Sequence, residues 1–280
     1  MNIEQLKTQL RTHNLKPNFT YGQNFLIDDI VLEDIADAAA PGKNDCVLEI
    51  GPGMGNLTEK LLQRAGFVLS IEKDPKFLPV LKQIKKDHRD NFRFEIADAL
   101  EFNFQKYFRE QGFKDYVVIA NIPYFITGKI LQMLMTAEFK PRQITVLTQK
   151  EVAQNIIAKP GDLNILAISV QIFGAPEIKR LVPAKSFYPA PKVDSAVLQI
   201  KLFDEPKYKI GDEKNFFRVV KSCFAGKRKQ LHNTLKNNLK LDQASMDKIL
   251  SDLKINPAAR PQELTIEQWV KLSEALNPKS

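Results

Sequence analysis

Asp45-Cys-Val-Leu-Glu-Ile-Gly-Pro-Gly-Met-Gly-Asn-Leu57 decides the fold. Cys46 to Ile50 has the length and apolar composition of a buried strand, and glycines follow at 51, 53 and 55. Leu57 to Arg64 then carries helical periodicity. A glycine-rich turn from strand to helix reverses the chain tightly and lets a ligand approach backbone N–H groups near the helix's positive end. The spacing is G-x-G-x-G, whereas a dinucleotide fingerprint would want glycine at position 56, which is Asn56. Phe67 to Ile71 is the next strand, and Glu72 at its end can accept hydrogen bonds from both hydroxyls of a ribose. Asp98 follows the third strand, Phe92 to Ile96, placed to meet an exocyclic amine. The two carboxylates turn a generic loop into the expected site of a nucleoside cofactor.

Outward from that turn the alternation continues. Tyr116 to Ala120 and Ile144 to Leu147 are further strands, and Phe77 to Lys86 is a helix. Strand alternating with helix predicts an α/β fold with a parallel sheet covered on both faces. Glu177 to Val182 and Ser195 to Leu202 are strands flanking the turn Phe187-Tyr-Pro-Ala-Pro-Lys-Val193. The polar run 203–213, with Pro206 and Gly211, reads as a linker. Beyond it Phe216, Phe217, Val220 and Phe224 recur at helical spacing, as do Trp269, Leu272 and Leu276, and Trp269 is assigned to the core. The expected organisation is a catalytic domain over 1–203 and a helical domain over 204–280.

Composition narrows the function classes. With 44% apolar residues among 280, the chain can build a core. No run approaches the roughly 20 apolar residues of a membrane span. Met1 to Arg11 reads as a short polar helix, not a signal peptide, so a cytoplasmic protein is expected. Two cysteines and three scattered histidines argue against a disulfide framework and against a metal site. The charge is informative. Lys214 to Leu241 holds eight basic residues and no acidic one, while the remainder has thirty-three of each sign. A segment holding the entire excess of +8 is expected to bind a polyanion, the alternative being a solvated helix face.

Several motifs together resemble one family. Val47-Leu-Glu-Ile-Gly-Pro-Gly53 is similar to the first motif of class I S-adenosylmethionine-dependent methyltransferases. Asn121-Ile-Pro-Tyr124 resembles the N-x-P-Y motif of adenine-N6 methylation. Tyr21-Gly-Gln-Asn-Phe-Leu26 resembles the GQNFL signature of the ribosomal RNA adenine N6,N6-dimethyltransferases. Gln149 to Ala153, Phe187 to Ser195, Lys227 to Leu231 and Ala259 to Leu264 extend that resemblance in family order over about 20–276, nearest to the small-subunit (16S) branch. Three departures concern substrate contacts: Lys16 to Thr20 lacks the basic cluster usual before GQNFL, Asn155 lies near a common arginine position, and Phe125 to Lys129 follows Tyr124 where serine or threonine and then proline are frequent.

The resemblance implies a seven-stranded, mostly parallel sheet with the seventh strand antiparallel, plus a small helical C-terminal domain. It also implies dimethylation of N6 on two adjacent adenosines in a hairpin loop near the 3′ end of 16S rRNA, with S-adenosylmethionine as cofactor. The expected partner is that rRNA or the immature 30S particle, met by a monomer with no membrane. Carried over, Gly51 lies against the cofactor's methionine part, Glu72 holds its ribose and Asp98 its adenine amine. Asn24 and Leu26 close over the ligand, and Asn121 touches both cofactor and target base. Tyr124 and Phe187 flank the extruded base, the alternatives being a strand-end core aromatic for Tyr124 and simple packing of the turn for Phe187. Arg218, Lys221, Lys227, Arg228 and Lys229 are the expected phosphate contacts. Rival readings are the large-subunit (23S) dimethyltransferase of the antibiotic-resistance type, a small-molecule methyltransferase and a non-catalytic nucleic-acid-binding relative. An intact set of site residues argues against the last, and the basic segment argues against the small-molecule enzyme.

Overall fold

The computed structural model describes residues 3–18, 21–122, 126–226 and 229–277. The chain divides into two compact units, one of residues 1–153 with 175–202, the other of 154–174 with 203–280. In chain order the first unit holds α1 (Ile3–Thr12), β1 (Phe25–Leu26), α2 (Asp29–Ala39), β2 (Cys46–Ile50), α3 (Asn56–Arg64) and β3 (Phe67–Glu72). It continues with α4 (Leu78–Asp87), β4 (Phe92–Ile96), α5 (Phe104–Glu110), β5 (Val117–Asn121), α6 (Thr127–Met135) and β6 (Gln143–Gln149).

After α7 (Lys150–Ile156) and α8 (Ile165–Gln171) come β7 (Gly174–Val182), β8 (Phe187–Tyr188) and β9 (Ser195–Leu202). Seven strands form one sheet in the order β4-β3-β2-β5-β6-β9-β7. β2 is parallel to β3 and β5, as are β3 to β4 and β5 to β6. The last sheet strand in the chain, β9, runs antiparallel to β6. This is the α/β architecture the alternation predicts. The central β2 is buried along its whole length, as expected of a strand covered on both faces.

Two details were not legible beforehand. β1 and β8 form a separate antiparallel ribbon, pairing Phe25 with Tyr188 and Leu26 with Phe187. The N-terminal helix is amphipathic, not merely polar, since Leu6 and Leu10 enter the core.

The second unit is helical. It comprises α8, α9 (Glu213–Phe224), α10 (Leu231–Leu239), α11 (Gln243–Asp252) and α12 (Ile266–Ala275). Residues 154–174, which the sequence reading left in the first domain, group instead with these C-terminal helices. The cause is packing: Leu163, Ala167, Ile168 and Ile172 share one core with Phe216, Val220, Leu250 and Trp269. Trp269 is fully buried there.

Candidate functional site

In a parallel sheet the loops after the strands gather at the carboxyl edge, and ligands bind where the strand order reverses. Here β2, beside both β3 and β5, is that switch point. A cavity of about 370 Å³ opens there. Its lining includes Asn24, Leu26, Gly51, Glu72, Asp98, Asn121 and Phe187, so seven of the sequence-predicted positions converge. Tyr124, Lys227 and Arg228 lie outside the described residues.

Gly51 has φ +78, and a Cβ there would stand 2.7 Å from the Asn121 backbone oxygen. Only glycine lets the turn after β2 and the end of β5 approach so closely. Glu72 is 7% exposed and accepts N–H bonds from Gly53 at 3.0 Å and Asp74 at 2.9 Å. Burial raises its pKa, opposed by those backbone bonds. Asp98 accepts from Lys73 Nζ at 2.7 Å and from the Leu100 N–H at 3.0 Å. Lys73 is thereby the main cause holding the Asp98 carboxyl below its ordinary pKa.

The N-terminal segment 21–26 forms part of the cavity wall. Asn24 Nδ2 donates to the Gly22 carbonyl at 3.2 Å, and Leu26 is buried. Asn56, noticed in the sequence only as a missing glycine, donates its side-chain amide to the Leu26 carbonyl at 3.4 Å. Phe187, paired with Leu26 across the ribbon, is 3% exposed and belongs to the apolar core while also lining the cavity. Sequence reasoning missed Asn56, Lys73 and Asp74; that Asp74 is buried beside Glu72 has no sequence signature. Behind the glycine turn, Glu49 is 1% exposed and accepts hydroxyl bonds from Thr58 at 2.7 Å and Ser70 at 2.6 Å, both on Oε2. Its Oε1 has no partner among the described residues. Burial pushes its pKa up to about 7.

These groups fit an adenosyl-methionine ligand. A backbone cradle free of side chains stands at Gly51, a buried carboxylate at the end of β3 and a second carboxylate after β4. The elements are matched to a nucleoside by chemistry, since ribose hydroxyls and an exocyclic amine all donate and carboxylates accept.

In the helical unit the candidate RNA contacts are placed unevenly. Arg218 and Lys221 are exposed on α9, opposite the buried Phe216, Val219 and Val220. Arg218 is also tied locally, donating to Asn215 Oδ1 at 2.7 Å and to the Leu276 carbonyl at 3.3 Å. Lys229 is exposed beyond the helix. No described helix is long and apolar enough to cross a membrane.

A family model for ribosomal RNA adenine dimethylase matches residues 14–278. The chain is 39% identical over 279 residues to a ribosomal RNA small subunit methyltransferase A of Clostridium botulinum strain Okra, covering 99% of this chain and 98% of that protein. A protein of the same name from Dehalococcoides mccartyi strain CBDB1 is 37% identical over 270 residues, 96% of this chain and 92% of the other. Among solved structures, a dimethyladenosine transferase from Plasmodium falciparum superposes with TM-score 0.76 at 26% identity, covering 89% of this chain and 95% of that one. The 23S rRNA methyltransferase ErmE gives 0.70 at 27% identity, covering 90% and 99%.

Proposed function

The chain belongs to the ribosomal RNA adenine dimethylase family, and from that premise we propose how its residues carry out the reaction. It is an S-adenosylmethionine-dependent rRNA adenine-N6 dimethyltransferase of the small-subunit type. Its target in this reading is the pair of adjacent adenosines near the 3′ end of 16S rRNA, met in the cytoplasm by a monomer, on free RNA or on the immature 30S particle. The observation that carries the assignment of roles is the convergence of Gly51, Glu72, Asp98 and Asn121 on one cavity.

When bound, the cofactor supplies a methyl group already activated on a sulfonium. The protein's task is then to bind, orient and exclude water. Glu72 takes the ribose hydroxyls, Asp98 the adenine amine and the turn at Gly51 the methionine part, with Asn24 and Leu26 covering the ligand. The target amine is a poor nucleophile because its lone pair is delocalised into the ring. Asn121 Oδ1 and the Ile122 carbonyl accept its two N–H bonds, which favours a pyramidal nitrogen and aims the lone pair at the methyl. Orientation contributes most and stabilisation of the developing ammonium second. The proton leaves to water after transfer. The extruded base stacks on Tyr124, with Phe187 closing the other side, at roughly 1–3 kcal/mol per stacked base.

The segment Lys214 to Leu241 of the helical unit carries eight basic residues and no acidic one, and Arg218, Lys221, Lys227, Arg228 and Lys229 meet RNA phosphates. The test is reverse transcription across 16S rRNA incubated with protein and S-adenosylmethionine. Dimethylated adenosines block pairing, so a stop at the modified adenosines is expected with the native chain and none with Asn121→Ala. Stops that persist in a folded Asn121→Ala protein would remove that residue from its role.

A further inference from the structure

Gln23 is a residue of the N-terminal segment for which the proposed chemistry has no use. Its side chain is nevertheless engaged at both ends. Gln23 Oε1 accepts the Asn18 N–H at 2.9 Å, which closes the loop preceding Asn24. Gln23 Nε2 donates to Asp74 Oδ2 at 2.9 Å. Asp74 is 3% exposed, and its other oxygen accepts the Lys76 N–H at 3.1 Å. The Asp74 N–H in turn donates to Glu72 Oε1 at 2.9 Å, and the Gly53 N–H to Glu72 Oε2 at 3.0 Å. One continuous chain of hydrogen bonds therefore runs from the segment lining the cavity, through Gln23 and Asp74, to the carboxylate assigned to the ribose and on to the glycine turn.

We propose that Gln23 is a positioning residue for cofactor binding: its amide latches the segment bearing Asn24 and Leu26 to Asp74. The inference rests on the cofactor reading above. A neutral amide suits the position, because it accepts from a backbone N–H at one end and donates to a buried carboxylate at the other. Removing the donor leaves an Asp74 oxygen unpaired in a buried place, and frees the segment from the strand ends it covers. Replacing it by a carboxylate sets two like charges in contact, which favours a shared proton.

The experiment measures S-adenosylhomocysteine affinity by calorimetry for the native chain, Gln23→Ala and Gln23→Glu, with hydrogen exchange on the ligand-free proteins. Gln23→Ala should weaken binding by about tenfold, the scale of an unpaired buried group, and speed exchange of the amides around Asn24. Its KM for S-adenosylmethionine should rise while kcat at saturation stays near the native value. Gln23→Glu should bind poorly at about pH 8 and recover toward native affinity by about pH 5, as the carboxylate pair takes up a proton. That recovery separates a latch from a general loss of folding. Native-like affinity and exchange in Gln23→Ala, or a Gln23→Glu affinity that ignores pH, would overturn the latch. Failure of the native chain to bind the ligand would instead overturn the cofactor reading.

Discussion

Glu49 shows how one buried residue shapes the pH response. Its carboxyl lies behind the glycine turn with one oxygen satisfied twice and the other without a partner among the described residues. Below pH about 4.5 the group is protonated in both folded and unfolded chains; between there and about 7 only the unfolded chain ionises it. The folded state then holds more protons, so this group's contribution to stability is lost as pH rises through about 7. Glu49→Gln should cancel that loss, gaining on the native chain by about 3 kcal/mol across the window in urea unfolding. A constant difference between the two proteins would refute the assignment. Glu72 differs, because its backbone donors aim it into the cavity. Glu72→Ala should weaken cofactor binding by about 1–3 kcal/mol, and calorimetry giving unchanged affinity in the folded variant would remove Glu72 from the ribose.

At the scale of elements, the short ribbon of β1 and β8 does what no single strand could. It joins the GQNFL segment to the proline-rich turn, so Leu26 and Phe187 meet directly although 161 positions apart in the chain. Phe187 packs the apolar core and also lines the cavity. Phe187→Leu keeps an apolar side chain for the core but loses the flat face. Its expected signature is near-native thermal stability and cofactor affinity with single-turnover methylation reduced about tenfold, the scale of one lost stacking contact. Unimpaired turnover would leave Phe187 with packing alone. The Gly51 turn is equally an inter-element feature, since its close neighbour is the backbone of Asn121 at the end of β5.

At the scale of the whole molecule, the cavity and the basic segment belong to different units. The first unit carries the cavity and the second the basic segment, each around its own apolar core. Lys221 and Lys229 are exposed in the second unit, while Arg218 spends part of its bonding capacity on Asn215 and Leu276. Lys221 and Lys229 are therefore the cleaner test of phosphate binding. Neutralising both should flatten the log–log salt dependence of RNA binding by roughly 1–2 units and leave cofactor affinity unaltered. An unaltered slope would return the segment to a solvated helix face.

Periodicity in the sequence determined the α/β class, the seven sheet strands within a residue or two at most ends, and the helical C-terminal region. Those features are local: period-2 and period-3.6 patterns report which face of an element is buried. The Gly51, Glu72 and Asp98 positions were legible for the same reason, because each ends or follows a strand and parallel strands bring such ends together. Only the tertiary structure decided the strand order, the pairing of β1 with β8, the grouping of 154–174 with the C-terminal helices and the Gln23–Asp74 contact. These depend on partners far apart in the chain, chosen by which apolar faces and buried polar groups can satisfy one another at once. No window of sequence contains both halves of such a choice.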